Sequence, residues 1–152
     1  MTLRKIINDP HQFVDEVLEG IVRAHPGAYR FASADHRAVV PSVPTGQVGI
    51  VTGGGSGPLP LFLGYVGQGL ASGVAVGNVF SSPSPEQIYA ATRAVESGSG
   101  VLYLYGNYGG DVYNFDLAGE RASLDGIATA TVLGADDVLS APVERARDRR
   151  GI

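Results

Sequence analysis

Between Ala38 and Pro85 the chain carries no Asp, Glu, Lys, Arg or His. A stretch this long without a charged side chain has to leave water, either into a bilayer or into a protein interior. Gly, Pro, Ser and Thr interrupt it too often for the roughly 18 successive apolar residues that a spanning helix requires. No membrane partner is therefore expected. Parallel strands covered on both faces read as charge-poor apolar runs, so the stretch is assigned to the inner part of an α/β sheet and its loops.

Inside this stretch lies QVGIVTGGGSGPLPLFLGYVGQG, from Gln47 to Gly69. A β-branched run feeds a five-residue Gly/Ser turn, Gly53 to Gly57, and then a Gly-spaced apolar segment. Glycines directly after a strand permit positive φ and leave no side chain between the backbone amides and an oxygen-rich ligand. Open α/β sheets place their sites at this carboxyl end of a strand. Two familiar ligand motifs do not fit. A Walker A loop needs Lys and Ser/Thr after its last glycine, whereas Gly57 is followed by Pro58 and Leu59, and the one lysine of the chain is Lys5. A dinucleotide fingerprint started at Gly53 or Gly55 puts its third glycine on Pro58 or Pro60.

The flanking segments alternate. Asp9-Pro10-His11-Gln12 has the form of a cap with proline at N1, followed by Phe13, Val14, Val17, Leu18, Ile21 and Val22 at helical spacing and stopped by His25-Pro26-Gly27. A polar loop region then leads to a strand at Val48 to Thr52, a short helix or turn around Pro60 to Val66, and a strand at Gly73 to Val76. Ser84-Pro85-Glu86-Gln87 is a second cap, opening a helix that ends at Ser97-Gly98. Val101 to Tyr105 reads as a strand, Asn107 to Gly110 as a second glycine loop, Asp111 to about Leu124 as a helix, and Ile127 to Leu133 as a strand. This rhythm implies parallel strands, right-handed crossovers and helices on the sheet faces, with both glycine loops on one edge.

With 152 residues, 44% of them hydrophobic and 17% charged, the chain suits a single domain spanning residues 1–152. A net charge of −4 with mixed signs gives no basic field, so nucleic acid is not an expected partner. The absence of cysteine excludes disulfides and thiolate metal sites and fits a cytoplasmic location. MTLRKIINDPHQF shows no signal-peptide core. His11, His25 and His36 have no second ligand at metal spacing and read as surface or capping residues, so no metal site is assigned.

Asp111 is the candidate catalytic carboxylate. After two glycines at a helix start it has the position of an N-cap, and at the carboxyl edge of the sheet it can also serve as a general base toward a hydroxyl. The two roles are compatible. Tyr103 and Tyr105 alternate along a strand and are expected in the core, beneath flanking helices. Asp136-Asp137 reads as a solvated strand end, and Arg145, Arg147, Arg149 and Arg150 as a solvated, frayed basic tail.

KIIND, AHP at Ala24 to Pro26, GGGSG at Gly53 to Gly57, GYVGQG at Gly64 to Gly69, FSSPSPEQI at Phe80 to Ile88, GNYGGDVYNF at Gly106 to Phe115 and the terminal RRGI together resemble dihydroxyacetone kinases. The similarity runs through the whole chain and matches the N-terminal part of the substrate-binding (K) domain. It implies a three-layer α/β/α fold with a mainly parallel sheet, a DAK1/DegV-like first domain. It also implies a pocket for a short ketose such as dihydroxyacetone. Gly54, Gly55, Ser56, Gly57, Gly106 and Asn107 would contact the substrate, and Asp111 would take the hydroxyl proton. ATP, or ADP recharged by a phosphotransferase-system carrier, would sit with Mg on a separate helical domain or subunit, with no cofactor on this chain. A homodimer is a further implication.

The departures from the family pattern run from ionisable to neutral. Pro58 and Leu59 stand where the family has a histidine and an acid, Gly106 where it has a lysine, and Asn78 where an acid is frequent. The family also continues past RRG to a histidine that holds the ketone covalently, so this chain is expected to be incomplete as a catalyst by itself. The other reading is a non-catalytic regulatory or ligand-sensing paralogue.

Overall fold

A computed structural model of the protein describes residues 6–44, 46–57 and 62–151. Lys5, Pro58, Leu59, the Pro60 start of the expected short helix, and Ile152 lie outside the described residues. A six-stranded sheet forms the middle layer. Its strands are β1 (Tyr29–Phe31), β2 (Ala38–Pro41), β3 (Gly49–Gly54), β4 (Gly73–Val76), β5 (Val101–Gly106) and β6 (Thr129–Gly134), in the order β1-β2-β4-β3-β5-β6. The four strands from β4 to β6 in that order are parallel, and β1 and β2 extend the sheet antiparallel. The helices are α1 (Phe13–Ala24), α2 (Pro85–Val95) and α3 (Gly109–Leu124).

The period of two along each strand sorts side chains into two cores. On one face Val51, Ala75, Val101, Tyr103 and Tyr105 pack beneath α2 and α3, which contribute Ile88, Ala91, Phe115, Ala118 and Ala122. On the other face Val39, Val74 and Val76 meet Val14 and Leu18 of α1 and Leu63 of a short 3₁₀ turn at Leu63–Tyr65. Three layers result, as expected. Among the described residues no helix is long and apolar enough to cross a membrane.

The helix signals hold well at α2. Ser84 is its N-cap, with a reciprocal capping box to Gln87 and Pro85 at the start. At α1 the expected cap is displaced. The Asp9 side chain accepts from His11 N (2.9 Å) and its carbonyl from Gln12 N (3.0 Å), closing a turn of its own, so the helix starts only at Phe13. The polar loop after α1 contains β1 and β2, which sequence reading left out. They are three and four residues long and exist through pairing, β2 with β4 and β1 with β2.

Candidate functional site

Gly53 and Gly54 are strand, not turn. They pair with Ala75 and Val76 of β4, so β3 runs two residues beyond the expected end and the turn proper is Gly55 to Gly57. None of these glycines has positive φ. Their conformational freedom is not what the loop uses; close approach is. A Cβ on Gly53 would sit 2.5 Å from the Ala75 carbonyl oxygen, one on Gly54 2.7 Å from the Phe62 ring, and one on Gly55 3.0 Å from Ser81 N. Gly57 lies against the Phe80 ring, with 2.5 Å to a Cβ there. Phe80 itself has φ +53°, a left-handed conformation costly for a bulky residue. Ser56 is buried, and its Oγ has no hydrogen-bond partner among the described residues.

The second loop is shorter than the sequence suggests. α3 begins at Gly109 with Tyr108 as N-cap, so Asp111 is the third helical residue and does not cap the helix through its side chain. Asp111 is buried, and its Oδ1 has no partner among the described residues. Burial raises its carboxyl above the ordinary value of 3.8, opposed by a hydrogen bond from Ser82. The positive end of α3 adjoins it and favours the anion in the same sense as Ser82.

Gly77 to Ser82, leading out of β4, joins the two loops. Gly77 N donates to Gly54 O (2.9 Å), and Asn78 O accepts from both Ser56 N and Ser81 N (3.0 Å each). Ser82 reaches Asp111, and its Oγ lies 2.7 Å from where a Cβ on Gly110 would be. Ser56 and Asp111 are thereby tied to one short segment at the carboxyl edge of the parallel strands. A polar recess of about 370 Å³, lined by Arg37, Asn78, Ser81 and Ser82 among others, adjoins this segment. A larger cavity lined by Gln47, Val48, Gly69 and Leu70 lies at the opposite strand ends, away from both loops.

Gly106 ends β5, and a Cβ there would be 3.4 Å from both Gly151 Cα and the Tyr108 ring, an ordinary contact. Asn107 Nδ2 donates to Arg149 O (2.8 Å) and its amide to Gly134 O (2.9 Å). The terminal basic segment is accordingly docked, not frayed. Arg150 O accepts from Asp137 N (2.9 Å), Arg150 N donates to Ser140 Oγ (2.9 Å), and Gly151 is buried against Gly106. Asp137 also caps its own turn through Leu139 N.

Tyr103 and Tyr105 are core residues as expected. The Phe115 ring stacks on Tyr105 at 3.9 Å and meets Tyr103 edge-on at 5.2 Å. Desolvation, with the nearby Asp116 and Asp111, pushes the Tyr105 hydroxyl up to about 12. His25 is the C-cap of α1, and His36 stacks on Phe31 at 4.1 Å. Among the described residues no three His, Asp or Glu side chains lie together as metal ligands. Sequence reading missed Arg37, whose signal was its place as the last charged residue before the charge-free stretch.

Fold and site define a three-layer α/β domain whose carboxyl sheet edge carries two glycine-bearing loops and a buried carboxylate. The chain belongs to the Dak1 domain family, which matches residues 19–152. It is 49% identical over 152 residues to the dihydroxyacetone-binding subunit DhaK of a PTS-dependent dihydroxyacetone kinase from Listeria innocua, covering 99% of this chain and 45% of that protein. The dihydroxyacetone kinase of C. freundii, solved with AMP-PNP and Mg2+, superimposes with a TM-score of 0.87 at 30% identity, covering 99% of this chain and 28% of that one. A dihydroxyacetone kinase operon co-activator, Dha-DhaQ, superimposes with a TM-score of 0.75 at 31% identity, over 81% of this chain and 38% of the other. The chain thus spans less than half the length of these relatives.

Proposed function

We propose that this chain supplies the substrate-binding cradle for phosphorylation of a short ketose such as dihydroxyacetone. The observation that carries the reading is a pair of buried oxygens without partners among the described residues, Ser56 Oγ and Asp111 Oδ1, tied to the same Gly77–Ser82 segment. Buried polar atoms without partners are rare in native proteins, and a polyhydroxylated ligand provides the missing hydrogen bonds. The Gly55 to Gly57 backbone and Ser56 hold the substrate, with Gly54, Gly106 and Asn107 shaping the rim. Asp111 accepts the proton of the terminal hydroxyl as that oxygen forms its bond to phosphorus. The raised carboxyl affinity for a proton suits this task.

ATP, or ADP recharged by a phosphotransferase-system carrier, belongs in this proposal with Mg on a separate helical domain or subunit. Phosphoryl transfer rests on positioning and charge stabilisation, which makes such a division workable. Cytoplasmic placement and self-association into a dimer complete the proposal. The chain alone is expected to show no turnover with dihydroxyacetone and ATP. Reconstituted with a helical nucleotide-binding subunit, it is expected to phosphorylate dihydroxyacetone, and Asp111→Asn to lower kcat by about 10²- to 10⁴-fold. Equal turnover of the two in a coupled assay would remove Asp111 from the reaction.

A second reading, a ligand-sensing regulatory module, is favoured by the likeness to the co-activator and by the neutral residues at 58, 59 and 106. Dihydroxyacetone binding in calorimetry without turnover in any reconstitution, including a Pro58→His/Gly106→Lys variant, would select it.

A further inference from the structure

Arg37 directly precedes β2, yet its guanidinium is engaged elsewhere. The side chain is 9% exposed and reaches three places at once. Nε pairs with Asp15 of α1, Nη1 donates to Gly77 O at 3.2 Å, and Nη2 donates to Asn78 Oδ1 at 2.9 Å. The backbone adds a fourth tie, from Val76 N to Arg37 O at 2.8 Å. Gly77 and Asn78 are the two residues from which the first glycine loop hangs, through Gly77 N to Gly54 O and Ser56 N to Asn78 O. A planar fork with several fixed donors can hold a carbonyl and a side-chain amide in one geometry, which a lysine ammonium cannot.

We propose that Arg37 is a positioning residue for the substrate cradle: it fixes the Gly77–Asn78 peptide and, through Asn78 O, the Ser56 and Ser81 amides. The proposal rests on the cradle reading above and deepens it by naming what holds the cradle in shape. Asp15 compensates the charge. With Asp15 partly open to solvent, this half-buried ion pair adds little net stability, because desolvation of Arg37 offsets attraction. Its return is geometric. Ser56 places its Oγ only as accurately as Asn78 O is held, and Ser82, at the far end of the same segment, carries that placement on to Asp111.

The test compares wild type, Arg37→Lys, Arg37→Met and, as a control for general destabilisation of the same layer, Leu18→Ala. Amide hydrogen exchange is read by NMR without ligand, and dihydroxyacetone affinity is measured at a temperature where every variant compared is folded. Arg37→Lys keeps the charge and decides the outcome if Arg37→Met does not fold. Exchange at Ser56 and Ser81 is expected to speed up about tenfold or more in Arg37→Lys while Tyr103 in β5 is unchanged, a local opening and not a global one. Affinity is expected to fall by about tenfold with it. Uniform acceleration at all amides, as in Leu18→Ala, or unchanged exchange at Ser56 and Ser81, would overturn the positioning role. Local acceleration in a protein whose wild type binds no dihydroxyacetone would keep Arg37 as the positioning residue and reject the ketose reading instead.

Discussion

Asp111 is a buried carboxylate whose Oδ1 has no partner among the described residues, and it sets burial against ionisation in a single side chain. Its folded-state proton affinity is raised by burial, so between pH 3.8 and the higher folded value the native chain retains a proton that the unfolded chain has released. Stability attributable to this group therefore falls as pH rises through that window and stays at the lower level above it. Asp111→Asn removes the dependence. Its melting temperature is expected to exceed that of wild type at pH 7, with the difference shrinking as pH falls through that window toward 3.8, as thermal melts at several pH values would show. Gly77 makes the opposite case, a residue whose worth lies in having no side chain. A Cβ there would overlap the Ser81 carbonyl and stand 2.7 Å from the Ser82 carbonyl carbon. Gly77→Ala should cost at least about 1–3 kcal/mol in urea unfolding and displace the bridge between the loops.

Among the elements, α2 shows how far local chemistry reaches. Ser84 Oγ accepts from Gln87 N at 3.3 Å while Gln87 Oε1 accepts from Ser84 N at 2.9 Å. Ser84→Ala is expected to cost about 1 kcal/mol, measurable as a shift in denaturant midpoint at constant slope. The same locality explains what was legible in the sequence. The α2 cap, β4 and the start of β5 stand where the residues place them, because each is specified by neighbours in the chain. β1 and β2 were not legible: Tyr29–Phe31 and Ala38–Pro41 are too short to carry a period, and β2 is specified by its partner β4 and β1 by β2. The glycines of the first loop were marked as a site, but for a partly wrong reason. They admit neighbouring backbone and rings closely, at ordinary φ. Arg37 escaped notice because its partners, Asp15, Gly77 and Asn78, are assembled only by the sheet.

At the scale of the whole molecule, the loops sit on one edge because β3 and β5 are parallel neighbours, and the terminal segment returns to that edge. Asn107→Ala removes the side-chain bond to Arg149 and should cost about 0.5–1.5 kcal/mol. Its sharper signature is expected in limited trypsin digestion, where cleavage after Arg149 and Arg150 should precede cleavage after Arg93 in α2 or Arg121 in α3; unchanged digestion would show the segment to be held without it. The bond from Asn107 to Arg149 spans 42 positions. During synthesis the second loop consequently cannot take its final form until Arg149 has emerged, so this part of the edge is completed after the strands beneath it have been made.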